Sequence, residues 1–312
     1  MSALICGSFA FDNIMMFHDQ FKNHILPDQV HILNVSFLVP DMRREFGGCA
    51  GNIAYNLKLL GGKPMPMGTV GEDFAPYGTW MDDNGISRQH LRTVDGTFTA
   101  QAFITTDKDD NQITAFHPGA MNYAHLNEVG AAKGVTIGMV SPDGRDGMIE
   151  HAEQFAKADI PFIFDPGQGL PMFQKDELQT FIEQATWVTV NDYEWRLLQD
   201  RTGYSEQDVM DRVEALIITK GAEGSVIHAR PDMRTEIPSV SVTTINDPTG
   251  CGDAYRAGLL YGLMNDMDWE TIGRLAALMG AIKIEHHGTQ NHRFSPDEFA
   301  ARFRTAFGYD FK

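Results

Sequence analysis

The sequence predicts an α/β protein whose central sheet is mainly parallel and is covered by helices on both faces. Short apolar runs, such as residues 135–140 and 215–219, end in polar or glycine residues, as buried parallel strands do. Stretches with helical spacing of apolar residues lie between the runs, as in residues 148–156. This alternation of strand and helix is typical of a doubly covered parallel sheet.

Composition and charge limit the possible partners. The chain has 312 residues, 43% hydrophobic and 21% charged, which suits one large globular α/β domain with a smaller appendage. The formal net charge of −17 argues against nucleic acid or an anionic membrane as the main partner, since either needs a basic surface. Three cysteines without metal-site spacing favour a reducing compartment, and we expect a cytoplasmic protein.

The first strand is predicted at Ala3–Cys6, an apolar run that stops at a glycine. Ser8 and Asp12 follow it, at the carboxyl edge of the sheet where ligands of α/β proteins gather. By residue type alone, Asp12 fits a turn former. Both residues are therefore candidates for substrate contact that need further support.

A small second sheet is predicted outside the main one. Residues 31–39 alternate apolar and polar side chains, and residues 97–117 alternate well enough for two strands joined by a polar turn at 108–111. We expect these segments to pair with each other. The sheet would form a lid that shields a bound ligand from water. We expect the lid to consist of about 13–46 and 95–118, inserted in a single domain over 1–312.

A helix opened by glycines is predicted after residue 46. Its apolar positions recur at helical spacing from Ile53 to Leu60, and Gly48 precedes them. Asn52 on its own fits a helix cap. The helix N-terminus should face the ligand region.

The second half of the chain adds strands at about 135–140, 161–166, 185–191 and 215–221. Asn191-Asp-Tyr-Glu194 closes the third of these strands, Thr219-Lys-Gly-Ala-Glu-Gly224 follows the fourth, and Gly288-Thr-Gln290 comes after an alanine-rich helix. Taken alone, Glu194 fits the acidic first turn of a helix. A G-x-x-G sequence is weak evidence for a nucleotide loop.

The most informative stretch is 246–258, where Pro248 and two glycines mark a loop that runs into a helix. Helix N-termini have free amide groups and a positive dipole end, so Gly250, Cys251 and Gly252 can surround an anion. Asp253 lies in the first turn, where it stays ionised and can accept a proton from a hydroxyl. The alternative is an ordinary capped helix with an acidic first turn.

The string from Asp247 to Gly258 resembles the C-terminal signature of the ribokinase-like (PfkB) carbohydrate kinases, D-x-T-G-x-G-D-A-F-x-x-G, with Tyr255 in place of Phe. Residues 47–54 resemble the family's N-terminal signature, G-G-x-x-x-N-x-A, and 68–78 resemble a strand-turn motif in which we take Asp73 as structural. The resemblance implies a ribokinase-like three-layer fold with a small β-sheet lid.

The resemblance also implies roles for single residues. Asp253 would be the general base, Gly250 to Asp253 the anion hole, and ATP the phosphoryl donor. Substrate contacts fall on Ser8, Asp12, Gly48 and Asn52, and nucleotide contacts on Asn191, Thr219, Gly221, Gly224, Gly288 and Gln290. Asn191 and Glu194 would hold Mg²⁺ through water. Asp247 would either help bind a monovalent cation such as K⁺ or cap a turn, and Arg256 would either supply a cation to the phosphate or lie on the surface.

Within the family, the best likeness is to bacterial adenosine kinases, in segments such as Leu26-Pro-Asp28 and Phe116-His-Pro-Gly-Ala120. It implies that Phe116 stacks on the base and that Gln168 bonds near the sugar or base. One departure is Gln101-Ala102-Phe103, where strand alternation turns Phe103 away from the face that Ala102 occupies.

We therefore predict a ribonucleoside kinase that makes the 5′-monophosphate of adenosine, inosine, guanosine or cytidine. One alternative is a ribokinase- or fructokinase-like sugar kinase. Another is a non-catalytic nucleotide-binding protein on a kinase fold, since fold does not fix activity. The lid's edge or face would be the contact of a homodimer.

Overall fold

The computed structural model describes residues 2–25, 32, 34–109 and 111–311. Within them lie thirteen strands, numbered along the chain as β1 (Ala3–Cys6), β2 (Ala10–Met16), β3 (Asp41–Gly47), β4 (Pro64–Val70), β5 (His90–Thr93), β6 (Ala100–Thr106), β7 (Gln112–His117), β8 (Ile137–Val140), β9 (Phe162–Phe164), β10 (Trp187–Asn191), β11 (Ala215–Thr219), β12 (Ser225–Ala229) and β13 (Met233–Ile237).

The α-helices of the same residues are α1 (Cys49–Leu59), α2 (Ala75–Asp83), α3 (Arg145–Lys157), α4 (Lys175–Gln184), α5 (Asp192–Thr202), α6 (Glu206–Met210), α7 (Cys251–Met264), α8 (Trp269–Ile284) and α9 (Pro296–Phe307). None of these helices combines the length and the apolar character needed to cross a membrane.

The large sheet has nine strands in the order β13-β12-β11-β10-β9-β8-β1-β4-β5. Neighbouring strands from β5 through β4, β1, β8, β9 and β10 to β11 pair in parallel, whereas β12 pairs antiparallel with both β11 and β13. Every strand predicted in the second half of the chain is present in it. The carboxyl ends of the parallel strands meet at one edge, where Ser8 follows β1, Asn191 ends β10 and Thr219 ends β11.

Helices cover both faces of this sheet because alternate residues of each central strand point to opposite sides. In β1, Ala3 and Ile5 belong to a core that α1, α7 and α8 complete, while Leu4 and Cys6 belong to a core shared with α3, α4 and α5. All four side chains are at most 1% exposed. The predicted α/β fold with a mainly parallel central sheet between two helical layers is confirmed.

The small sheet contains β3-β2-β6-β7, and β6 and β7 form the predicted hairpin. The prediction of strands at 31–39 is wrong for residues 34–39, which form none, while residues 31 and 33 lie outside the described part. Their apolar alternation has another cause, since Phe37 packs on Phe17 and Phe21. The segment Leu26-Pro-Asp28 also lies outside the described residues.

Candidate active site

Two helix N-termini, those of α1 and α7, meet at the carboxyl edge of the large sheet. Asn52, in the second turn of α1, is 4% exposed, and its Nδ2 donates to Oδ2 of Asp253 in the first turn of α7 at 2.8 Å. The two family signatures, about 200 residues apart in sequence, are therefore joined by a direct hydrogen bond. The bond places Asp253 at the mouth of α7, where the helix dipole favours its charged form.

Gly250 shapes the turn before α7. Its φ of 79° lies in the left-handed region, and an added Cβ would lie 3.1 Å from the Thr289 side chain, so glycine fits best here. The amide of Cys251 already donates to the Pro248 carbonyl at 3.2 Å. The amides of Gly250, Gly252 and Asp253 have no acceptor among the described residues, so these three groups can bind an anion.

The environment of Asp253 suits a general base. Burial raises its pKa to about 6, opposed by hydrogen bonds from Asn52 and the Cys49 thiol and by the charge of Arg256, while Asp165 raises it further. A carboxyl group with this pKa is mostly ionised at neutral pH, yet it is basic enough to take a proton in a transition state.

Ser8 and Gly48 hold the N-terminus of α1. The Ser8 Oγ accepts from the Cys49 amide at 3.2 Å, and the Ser8 carbonyl accepts from the Ala50 amide at 3.1 Å. An added Cβ on Gly48 would lie 2.5 Å from the Ser8 carbonyl oxygen, which excludes other residues. Ser8 therefore has a helix-capping function, beside which its predicted substrate contact stays a prediction.

A chain of hydrogen bonds orients Asn52. The Trp80 indole donates to Oε1 of Gln290 at 2.9 Å, and Nε2 of Gln290 donates to Oδ1 of Asn52 at 2.9 Å. Because an indole N–H can only donate, it fixes the direction of both amides and leaves Nδ2 of Asn52 for Asp253. The Gln290 side chain, 2% exposed, also donates to Tyr77, so it lies inside the protein. Its predicted contact with the nucleotide stays a prediction.

The Arg256 side chain is buried beneath the turn that precedes α7. This position differs from both predicted ones, a contact with the phosphate and a place on the surface. The side chain is 6% exposed and forms a two-pronged ion pair with Asp165, at 2.8 and 3.1 Å. Nη2 of Arg256 is also 3.9 Å from Oε2 of Glu194. A guanidinium matched to a carboxylate in this way ties α7 to the end of β9 and to the predicted metal motif.

The acceptor side is formed by one face of the small sheet. Asp12, Ala102 and Phe116 are paired across β2, β6 and β7, so their side chains share a face, and Phe103 lies on the opposite face as predicted. Burial, with the carboxylates of Glu45 and Asp247, raises the pKa of Asp12 to about 6. The Phe116 side chain is 50% exposed, and Gln168 is exposed in a turn after β9.

The predicted metal motif forms a reciprocal helix cap. The Asn191 amide donates to Oε2 of Glu194, and the Glu194 amide donates to Oδ1 of Asn191, both at 2.7 Å. Oε1 of Glu194 has no partner among the described residues, so it is free to accept from a water of a hydrated Mg²⁺ ion, and the predicted contact with Mg²⁺ stays a prediction. The part of the chain that the structure describes holds no cluster of three or more His, Cys, Asp or Glu residues suited to a metal ion.

The nucleotide loop after β11 is closed by a bond from the Lys220 amide to the Gly224 carbonyl at 2.8 Å. Gly221 and Gly224 have positive φ, and a Cβ on Gly224 would lie 2.1 Å from the Ile237 carbonyl oxygen. The Thr219 hydroxyl donates to the Val190 carbonyl at 3.5 Å. The Gly288 amide donates to Oδ2 of Asp247 at 2.9 Å, so the late loop is joined to the signature.

Sequence reasoning missed several residues of this site, namely Cys49, Trp80, Asp165 and Lys283, whose Nζ donates to the Asp247 carbonyl at 2.7 Å. No local pattern marks them, since each acts on a residue distant in sequence. The signature's Tyr255 is also explained, because its hydroxyl is 2.7 Å from the Ser225 Oγ, a partner that Phe would lack. Asp73 is structural as predicted, since it accepts from the Thr99 amide and the Gln101 side chain.

Comparison with known proteins agrees with this geometry. Residues 10–296 match the model of the pfkB family carbohydrate kinases. A nucleoside kinase of Methanocaldococcus jannaschii is 33% identical over 86% of this chain and 89% of its own length.

Two solved structures of Burkholderia thailandensis nucleoside kinase are also similar. The complex with inosine has a TM-score of 0.90 and 54% identity and covers 99% of both chains. The complex with ADP-inosine has a TM-score of 0.88 and 56% identity and covers 99% of this chain and 97% of that one. The family match spans the signatures, the two helix N-termini and the small sheet alike, and the chain belongs to the pfkB family of carbohydrate kinases, enzymes that phosphorylate a hydroxyl group.

Proposed function

We propose that this kinase transfers the γ-phosphoryl group of ATP to the 5′-hydroxyl of a ribonucleoside and makes the nucleoside 5′-monophosphate. The observation that carries the proposal is Asp253, half-buried at the N-terminus of α7 and held by Asn52 beside free amide groups. The similarity to nucleoside kinases over nearly the whole chain supports a nucleoside as the acceptor. Inosine is the first candidate, followed by adenosine, guanosine and cytidine.

In the proposed step, the Asp253 carboxylate takes the proton of the 5′-hydroxyl while the hydroxyl oxygen attacks the γ-phosphorus of ATP. The bond from that phosphorus to the bridging oxygen of ADP breaks, and ADP leaves with the electron pair. Gly250, Gly252 and Asp253 donate their amides to the phosphoryl oxygens, which gain charge in the transition state. The hydrogen bond from Asn52 keeps the carboxylate in place, so little rearrangement is needed at the moment of transfer.

The small sheet and α1 would bind the acceptor. Asp12 can accept a hydrogen bond from each of two neighbouring ribose hydroxyls, and Gly48 lets the backbone approach the sugar closely. Phe116, on the same face as Asp12, offers a ring on which a base can stack. Gln168 would bond near the sugar or base, and Ser8 and Asn52 complete this side.

ATP would lie across the loops beside the N-terminus of α7, and the related complex with ADP-inosine supports a nucleotide site in this kinase. Gly221 and Gly224 would let the backbone approach the nucleotide closely, and Thr219, Gly288 and the backbone of Gln290 would supply further contacts. Asn191 and Glu194 would hold Mg²⁺ through water. When bound, Mg²⁺ neutralises charge on the phosphates.

A panel of nucleosides and sugars with ATP tests the proposal. We expect ADP release with inosine and at least one other ribonucleoside, and none with 5′-deoxyinosine, which lacks the attacking hydroxyl. Turnover of ribose or fructose without turnover of any nucleoside would identify a sugar kinase instead. Absence of turnover on every acceptor would favour the non-catalytic alternative.

We also propose a homodimer through the small sheet. The face opposite Asp12 exposes Met42, Phe103 and Ile113, which are 65%, 41% and 43% exposed. An apolar sheet face of this kind is a common protein contact. Light scattering should show a dimer that Phe103→Glu converts to a monomer, and a monomeric native protein would contradict this assignment.

A further inference from the structure

We propose that the Lys283 ammonium is a built-in substitute for the monovalent cation predicted at Asp247, so that the kinase needs no K⁺. Lys283, in the last turn of α8, is 0% exposed. Its Nζ donates to the Asp247 carbonyl at 2.7 Å and to the His286 carbonyl at 3.1 Å. The structure thus gives a covalently attached cation a pair of carbonyl ligands from two loops.

The ligands of Lys283 are those that a free monovalent cation would use. Backbone carbonyl oxygens replace the water shell of K⁺ where proteins bind it. The ammonium group of a lysine side chain carries the same single positive charge as K⁺. Burying this group is costly unless hydrogen-bond acceptors or carboxylates pair with it. Among the described residues, no carboxylate lies within ion-pair distance of Nζ, so the two carbonyls are its observed partners.

Every oxygen of Asp247 already accepts a hydrogen bond. Its Oδ1 accepts from the Thr249 amide and its Oδ2 from the Gly288 amide, both at 2.9 Å, while its carbonyl accepts from Lys283. A cation at the same carbonyl would lie about 4 Å from the ammonium, and two like charges at that distance inside a protein repel each other strongly. The residues present therefore do not fit K⁺ at Asp247.

The position of the ammonium connects it to catalysis. The loop before Gly250 is also joined to the end of α8 by the Asn246 and Asp247 amides, which donate to the Ile284 carbonyl at 2.9 and 3.2 Å. Lys283 lies at the centre of this connection, and the loop that it holds leads directly into the amides of the anion hole. It is a positioning residue, because it holds the loop that presents those amides rather than touching the reacting atoms.

The inference rests on the proposed function only for its rate measurement, since a melting temperature needs no acceptor. In native enzyme, replacing KCl with tetramethylammonium chloride at equal ionic strength should change kcat by less than about twofold and the melting temperature by less than about 1 °C. A several-fold requirement for K⁺, or a clear rise in the melting temperature with K⁺, would overturn the proposal.

Two variants of Lys283 and a surface control complete the test. In tetramethylammonium chloride, kcat of Lys283→Ala should be lower than that of native enzyme by about tenfold or more. Adding K⁺ or methylammonium should restore kcat of this variant and raise the melting temperature of the variant. Lys283→Met fills the space without a charge and should be slow without rescue. Lys58→Met, at an exposed position of α1, should behave as the native enzyme does.

The outcomes separate the two proposals. If no acceptor is phosphorylated, the proposed function fails, and the K⁺-dependent melting of Lys283→Ala still decides the cation question. If Lys283→Ala turns over at the native rate in every salt, the cation proposal fails while the kinase stands. If Lys283→Ala does not fold, the responses of native enzyme and of Lys283→Met to K⁺ decide between a built-in and a free cation.

Discussion

The two sides of the site differ in how far their side chains are held by the protein itself. On the catalytic side, Asp253 is fixed by Asn52, whose amide is oriented by Gln290 and Trp80. On the acceptor side, Phe116 is half-exposed and Gln168 is exposed. The difference suggests that the chemistry is preorganised, while recognition of the base is completed by the ligand.

The largest effect should come from the catalytic side. Asp253→Asn removes the base but keeps the shape and the bond to Asn52, so kcat should fall by roughly 10²-fold or more. Steady-state kinetics with inosine and a melting curve check this, and the melting temperature should change little. An unchanged rate would refute the role of Asp253.

The next effect is on stability. Arg256→Met leaves the Asp165 carboxylate, 3% exposed, without its partner, and losing one partner of a buried pair costs about 3–5 kcal/mol. Chemical denaturation measures this loss. The paired change with Asp165→Leu should recover much of the stability, and a double variant no more stable than the single one would show that the ion pair is not the cause.

On the acceptor side, Phe116→Ala should raise KM for inosine by about tenfold with little change in kcat, because stacking on an aromatic ring is worth about 1–3 kcal/mol per base. Phe103→Ala, on the other face of the sheet, is the matched control and should leave KM unchanged. A fall in kcat with an unchanged KM would show that the small sheet acts in catalysis rather than in binding.

The smallest effect concerns the hydrogen-bond chain. In native enzyme, kcat/KM should fall as pH drops below about 6, where Asp253 and Asp12 become protonated, whereas the acidic limb of kcat should report Asp253. Gln290→Glu places a carboxylate oxygen opposite Oδ1 of Asn52, which needs a donor there. The Asn52 amide should then rotate, and its Nδ2 would no longer donate to the Asp253 carboxylate. Since a lost donor raises a carboxyl pKa, the acidic limb should move up by about one pH unit.

Tyr77→Phe is the control for that shift. It removes another hydrogen bond of Gln290 but leaves the chain from Trp80 to Asp253 intact. The acidic limb should therefore stay in place while the melting temperature falls. An equal shift in both variants would mean that general loosening, not the direction of the amides, moves the pKa.

Local patterns predicted the fold well where one physical cause dominates. The run Ala3–Cys6 is apolar because both faces of its strand are buried, and the structure has a strand with those bounds. The alternation at 31–39 misled because Phe37 belongs to an aromatic cluster, which leaves the same signal as a half-buried strand. Periodicity reports burial and does not report what covers the residue.

The site was predictable only as far as its motifs reach. The signature carries Asp253 and Gly250, but the residues that orient the base come from distant positions. Trp80 and Gln290 are 210 residues apart, and Gln290 and Asn52 are 238 apart. Contacts between residues so far apart produce no recognisable spacing in a single sequence. The contacts of Lys283 and Arg256 could therefore be identified only from the structure.

A crystal structure with a ribonucleoside and ADP tests the central claim most directly. We expect a carboxylate oxygen of Asp253 within hydrogen-bond distance of the 5′-hydroxyl, with the bond from Asn52 intact and the base against Phe116. An Asp253 side chain directed away from every hydroxyl of the bound nucleoside would contradict the account.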